Sequence, residues 1–235
     1  MDRVSDQAGT RPVASRRHLI ILCLILLAIA AAGYVALARA PAPGGGATPS
    51  SGAALYLPLL AAEWGLFLYV RMGLRNAGHP VRALISARPL GARALLADLA
   101  LGVLLLAVLM GAAALFAQAF GSATPGSVQI LLVRRAADIP LWILLSLSAG
   151  FVEELVFRGY LQAQLGALLG NPWLGVAAQA ILFGVTHGYQ GGALVLKIAM
   201  LSLIFGTAAL LRRSLVPGMI AHAATDLIGG LSAFR

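Results

Sequence analysis

Gly150-Phe151-Val152-Glu153-Glu154-Leu155-Val156-Phe157-Arg158-Gly159 places two adjacent carboxylates and an arginine at the end of an apolar run that begins at Ile139. In a water-facing helix such a group of charges is ordinary. In a bilayer-spanning segment each ionisable side chain costs about 3 kcal/mol or more, so it is kept with a partner and usually for a task. Composition decides which setting applies. The chain has 235 residues, is 60% hydrophobic and 11% charged, and has a mean hydropathy of +0.90. These values exclude an ordinary water-soluble domain and imply an all-α polytopic membrane helix bundle. The length allows six to eight spans, and the working expectation is seven transmembrane helices.

The net charge of +9 comes from arginines and a single lysine, Lys197. The arginines lie between apolar runs, where they signal topology and contact anionic lipid, so no nucleic-acid partner is expected. The lone Cys23 lies in the first apolar run and excludes a disulfide framework or a cysteine metal cluster. Arginine in place of lysine, with abundant Ala and Gly, points to a bacterial plasma membrane.

Taken in order, Arg3, Arg11, Arg16 and Arg17 are expected to hold the N-terminus in the cytoplasm. Leu19 to Ala38 is the first expected span. Ala36-Leu37-Ala38-Arg39-Ala40 has the small-residue spacing of a signal-peptidase site, but the run is long for a signal and reads as an anchor. Pro41 to Gly52 is an uncharged external linker. Further spans are expected over 53–72, 94–117, from Ile139 onward, 172–189, 193–211 and 217–231. The chain thus divides into an N-terminal transmembrane region, 1–138, and a core, 139–232. His18 and His79 are expected to be solvated, and Asp98 to sit near Arg93. Gln162 and Gln164, beyond the bilayer's thickness, are expected to protrude or lie along the interface.

His187, His222, Glu153, Glu154 and Asp226 all fall in the last four apolar runs, and a shared polar site is the economical reading. Glu154 and Arg158 are four apart on one helix face, in the order that suits an ion pair. Glu153 lies roughly 100° round the helix and is available for chemistry. Gly170-Asn171-Pro172 reads as a helix stop and turn. Glu153 precedes Gly170 by 17 residues and His187 follows Pro172 by 15. Both therefore lie roughly 22 to 26 Å from one turn, level in an antiparallel pair. His222 and Asp226 again share a face. A fully spanning sixth helix would hold His222 on the order of 15 Å from His187, so that helix is expected to be short or tilted. Glu63, alone in the second span, has three open placements: at the site, at the interface, or beside an arginine.

Glu153-Glu154-x-x-x-Arg158, Phe183-x-x-x-His187 and His222-x-x-x-Asp226 together resemble the three-motif signature of the CAAX protease and bacteriocin-processing (CPBP, or Abi) family of intramembrane endopeptidases. That family includes the type II CAAX prenyl proteases. The resemblance covers roughly 141–231, with one departure: family members more often carry Asn where this chain has Asp226. It implies that Glu153 and His187 activate a water, that His222 and Asp226 stabilise the oxyanion, and that Glu154, Arg158 and Phe183 support them.

The residues allow two chemistries. Glu153, His187 and His222 are an acceptable Zn²⁺ ligand set with an open position, and a buried glutamate beside a histidine is equally a general base. A metal-free site is the first expectation, because the set lacks the two-His-on-one-helix arrangement of typical zinc proteases. The expected substrate is a membrane-associated protein or peptide, with a prenylated CAAX protein not the expected target in a bacterium. A proton-coupled transporter using the same Glu and His residues, and a non-catalytic scaffold or bacteriocin-immunity protein, are the alternatives. Oligomeric state is not legible.

Overall fold

Backbone N–H and C=O groups in hydrocarbon have no water to bind, so an apolar run must pair them internally as a helix. The computed structural model describes residues 11–38, 52–89, 91–121, 126–129, 131–232 and 234, and its architecture is all-α. In chain order the helices are α1 Arg16–Ala38, α2 Gly52–Asn76, the short α3 Arg82–Ile85, α4 Ala92–Phe120 and the short α5 Gly126–Gln129. Then come α6 Ile139–Glu153, a π-helical stretch Glu154–Leu161, α7 Gln162–Leu168, α8 Pro172–Thr186, α9 Gly192–Arg212 and α10 Val216–Leu231. The expected signals at Arg3 and in the linker over 41–51 lie outside the described residues, as do residues 39 and 40 of the candidate cleavage segment.

Among the described residues, five segments are long and apolar enough to cross a membrane: Arg16–Val35, Gly52–Asn76, Ala92–Phe120, Ala136–Leu168 and Gly192–Arg212. The expected seven therefore becomes five by that measure. α8 has 15 residues and α10 has 16, short of the roughly 20 that a hydrocarbon core of about 30 Å requires. Local chemistry sets their limits. The Asn171 side chain accepts a hydrogen bond from Trp173 N at 2.8 Å with Pro172 in the first turn, and α8 ends at Thr186 before a tight turn, Gly188–Gln190. Left-handed Arg213 ends α9, and Pro217 opens α10.

α6 with its π-helical continuation is the central element. α2 and α10 pack along α6, α4 covers α10, and α8 packs between α7 and α9. One apolar cluster joins Leu22, Val70 and Leu74 of the first two helices to Val152, Val156, Phe157 and Tyr160.

Four placements differ from expectation, each because a buried polar group found a partner distant in sequence. Gln164 is fully buried rather than protruding; its Oε1 accepts from Val13 N at 2.7 Å and Ala14 N at 3.0 Å, and its Nε2 donates to Ala14 O at 2.8 Å. Gln162 is buried too, donating to Gly206 O at 3.0 Å. His18 is buried, not solvated: its Nε2 donates to the Tyr69 carbonyl at 2.9 Å, so Nδ1 accepts from Tyr160 Oη at 2.8 Å. Asp98 pairs with Arg212 at 2.6 Å and Ser214 at 2.8 Å rather than with Arg93.

Candidate active site

The last turn of α6 and the π-helical stretch carry Glu153, Glu154 and Arg158. Single π turns inside α-helices recur at functional positions. Glu154 and Arg158 have no exposed side-chain surface, and Arg158 Nη1 stands 3.1 Å from Glu154 Oε1. Neutral groups hold the guanidinium on its other sides. Nη2 donates to Ser202 Oγ at 3.0 Å, Ser202 Oγ donates to Gln179 Oε1 at 3.2 Å, and the rings of Phe183 and Phe205 lie 4.3 and 5.0 Å from Cζ. A buried ion pair persists only with such support, because its own attraction roughly balances the cost of desolvation.

His222 joins this pair to the two outer carboxylates. Its Nδ1 lies 3.0 Å from Glu154 Oε1. An ionised carboxylate only accepts, so Nδ1 carries the hydrogen and Glu154 sets the ring's orientation. Nε2 then faces Glu153 Oε2 at 3.6 Å and Asp226 Oδ2 at 3.7 Å. These gaps are too long for hydrogen bonds. The Glu153 and Asp226 side chains keep 21% and 33% of their surface exposed, whereas Glu154 keeps none. One face of the imidazole is therefore structural and the other open. The approach of α10 depends on two positions without a Cβ. A Cβ on Gly150 would meet Met219 O at 2.8 Å, and one on Gly218 would meet Glu154 Oε2 at 2.8 Å.

His187 follows α8 directly. Its Nδ1 donates to the Phe183 carbonyl at 2.9 Å, so Nε2 holds the lone pair. The Phe183 ring stands between the two imidazoles, its centroid 4.6 Å from His187 and 6.2 Å from His222. Among the described residues no hydrogen bond or ion pair links His187 to Glu153. Being level with Glu153 does not bring the two into contact. The histidines converge, but not through a short sixth helix, since α9 runs its full 21 residues. Instead α8 stops at Thr186, and His222 sits beside Phe205 of α9, their ring centroids 5.4 Å apart.

With this geometry in hand, the comparison with known families is informative. Residues 135–228 match the family model described as type II CAAX prenyl endopeptidase Rce1-like. This segment is similar to that family of CAAX proteases. Neither a curated protein nor a solved structure matches the chain. The apolar helices that flank and form this segment make the chain an integral membrane protein. The matched span contains every residue of the cluster built above.

The zinc set Glu153, His187 and His222 has suitable donor types, but their placement does not suit a shared ion. Among the described residues no group of three or more His, Cys, Asp or Glu is arranged to hold a metal, and the Phe183 ring packs against both imidazoles. Zinc needs its ligands at about 2.0 to 2.2 Å.

Sequence reasoning passed over Gln179, Ser202 and Phe205. A signal for Gln179 exists: it precedes Phe183 by four residues and His187 by eight, on the same face of an otherwise apolar helix. Ser202 and Phe205 carry no comparable mark, being ordinary residues of a membrane helix.

Proposed function

We propose that this chain is an intramembrane endopeptidase in which Glu153 is the general base and His222 the electrophilic group. The observation that carries the reading is the orientation of His222: Nδ1 is anchored on buried Glu154, and Nε2 points at half-open Glu153 and Asp226. Glu153 takes a proton from water as the water oxygen bonds to the scissile carbonyl carbon. The carbonyl oxygen gains the electron pair, and the imidazolium form of His222, with its second proton on Nε2, donates to it. The proton on Glu153 then passes to the leaving amine nitrogen as the C–N bond breaks.

Asp226 is the position where an ionised carboxylate would repel an oxyanion. Its place 3.7 Å from Nε2 favours a role in compensating the charge on protonated His222. His187, locked in the Nδ1–H tautomer, offers Nε2 as a second acceptor across Phe183, suited to orienting the water or the departing amine. No step passes through a metal ion. The substrate is a membrane-associated protein or peptide, cut near the cytoplasmic side of a bacterial plasma membrane.

The test is cleavage in proteoliposomes together with proteomics of membrane fractions, searching for new termini that depend on active enzyme. Purified Glu153→Gln should yield no new termini while remaining folded and monodisperse. Undiminished turnover by that variant would falsify the assignment of the base.

A further inference from the structure

Glu63 is the one acid of α2, and the packing of α2 on α6 determines where it points. Trp64 Nε1 donates to Ser148 Oγ at 3.2 Å, and Phe67 lies 5.7 Å from the ring of Phe151. This register sets α2 alongside the turn that carries Glu153. The Glu63 carboxyl group lies within electrostatic reach of Glu153, Asp226 and His222. Its Oε2 is buried and has no hydrogen-bond partner. Of the three placements open from sequence, the structure selects the site.

Carboxyl groups outnumber basic groups around this point. Glu154 is matched by Arg158. Glu153 and Asp226 share the single imidazole of His222, and Glu63 Oε2 has no hydrogen-bond partner. The remaining acceptors lie in a low-dielectric wall, where an unpaired carboxyl group is costly and a charged donor is strongly favoured. We propose that Glu63 is a specificity-determining residue that receives a basic side chain, Lys or Arg, adjacent to the scissile bond of the peptide substrate. The assignment rests on the endopeptidase reading and adds the charge of the segment it prefers. Glu63 lies on α2, outside the matched residues 135–228.

The experiment uses the full-length protein in proteoliposomes and three fluorescein-labelled apolar peptides that differ only in Lys, Gln or Glu at one position beside the central peptide bond. Cleavage and binding by fluorescence anisotropy are measured for wild type, Glu63→Gln and Glu63→Asp, with melting curves to confirm folding. The expected order is Lys over Gln over Glu, with roughly a tenfold or larger advantage for Lys, the size of a charge-assisted hydrogen bond. Glu63→Gln should remove that advantage, mainly through KM, and Glu63→Asp should restore part of it. Equal handling of the three peptides by wild type overturns the proposal while leaving the endopeptidase reading in place. Binding that prefers Lys through Glu63, without any cleavage, supports the basic pocket and sinks the endopeptidase instead. Absence of both cleavage and binding overturns the proposal too.

Discussion

Two buried charge clusters lie on either side of α10, and they are built differently. At the Asp98 cluster, α4 meets the end of α9: Asp98 Oδ1 takes Arg212 Nε and Oδ2 takes Ser214 Oγ, so both oxygens are satisfied. At the Glu154 cluster, partners are more numerous but the accounting is incomplete. Glu154 Oε2, Arg158 Nε and Glu63 Oε2 are buried without hydrogen-bond partners, and Glu153 and Asp226 stand beyond hydrogen-bond distance from His222. A closed cluster holds helices together. An open one retains unmet hydrogen-bonding capacity, which a ligand or reacting group can use.

Mutations of the two clusters should therefore have different consequences, and the largest effect should fall on activity. Glu153→Gln should lower peptide cleavage by at least about a hundredfold, the usual contribution of a general base, with little change in the melting curve. His222→Ala should abolish cleavage similarly. A Glu153→Gln enzyme that melts much earlier than wild type would make the open cluster structural and erase the contrast.

Next in size is stability. Arg158→Ala leaves buried Glu154 without its guanidinium partner and with only His222 Nδ1 beside it, and should cost about 3 to 5 kcal/mol, read as loss of folded protein in detergent. Asp98→Ala should cost less, about 1 to 3 kcal/mol, because Arg212 keeps 24% of its side-chain surface exposed and can be hydrated. Its cleavage rate per folded molecule should stay near that of wild type. A strong catalytic defect in folded Asp98→Ala would show that the closed cluster serves the reaction as well. The smallest expected effect is that of 1,10-phenanthroline or EDTA, which should leave cleavage unchanged. Inhibition reversed by zinc would show that Glu153, His187 and His222 gather round an ion.

Much of the fold could be read in advance because hydrocarbon imposes a simple rule: long apolar runs become helices, and the runs are visible. The starts at Pro140, Pro172 and Pro217 follow from residues with strong local preferences. Glu154 and Arg158 were likewise legible, since partners four apart on a helix are fixed by its geometry. His18, Asp98 and Gln164 were misplaced for the converse reason. Each takes its partners from elements more than fifty residues away, Tyr69 and Tyr160, Arg212, and Ala14, and no local spacing encodes those pairings.

The chain's order of residues was therefore enough to establish a membrane bundle, its charged centre at 153–158, and the histidines and aspartate that accompany it. Helical periodicity and the cost of charge in lipid act locally, so they can be read without coordinates. Only tertiary packing decided that His222, not His187, contacts both glutamates, that Phe183 divides the imidazoles, and that Glu63 turns toward the site. Those outcomes depend on how closely α2 and α10 approach α6, a distance set by side chains such as the missing Cβ of Gly150 and by partners that meet only after the helices have docked.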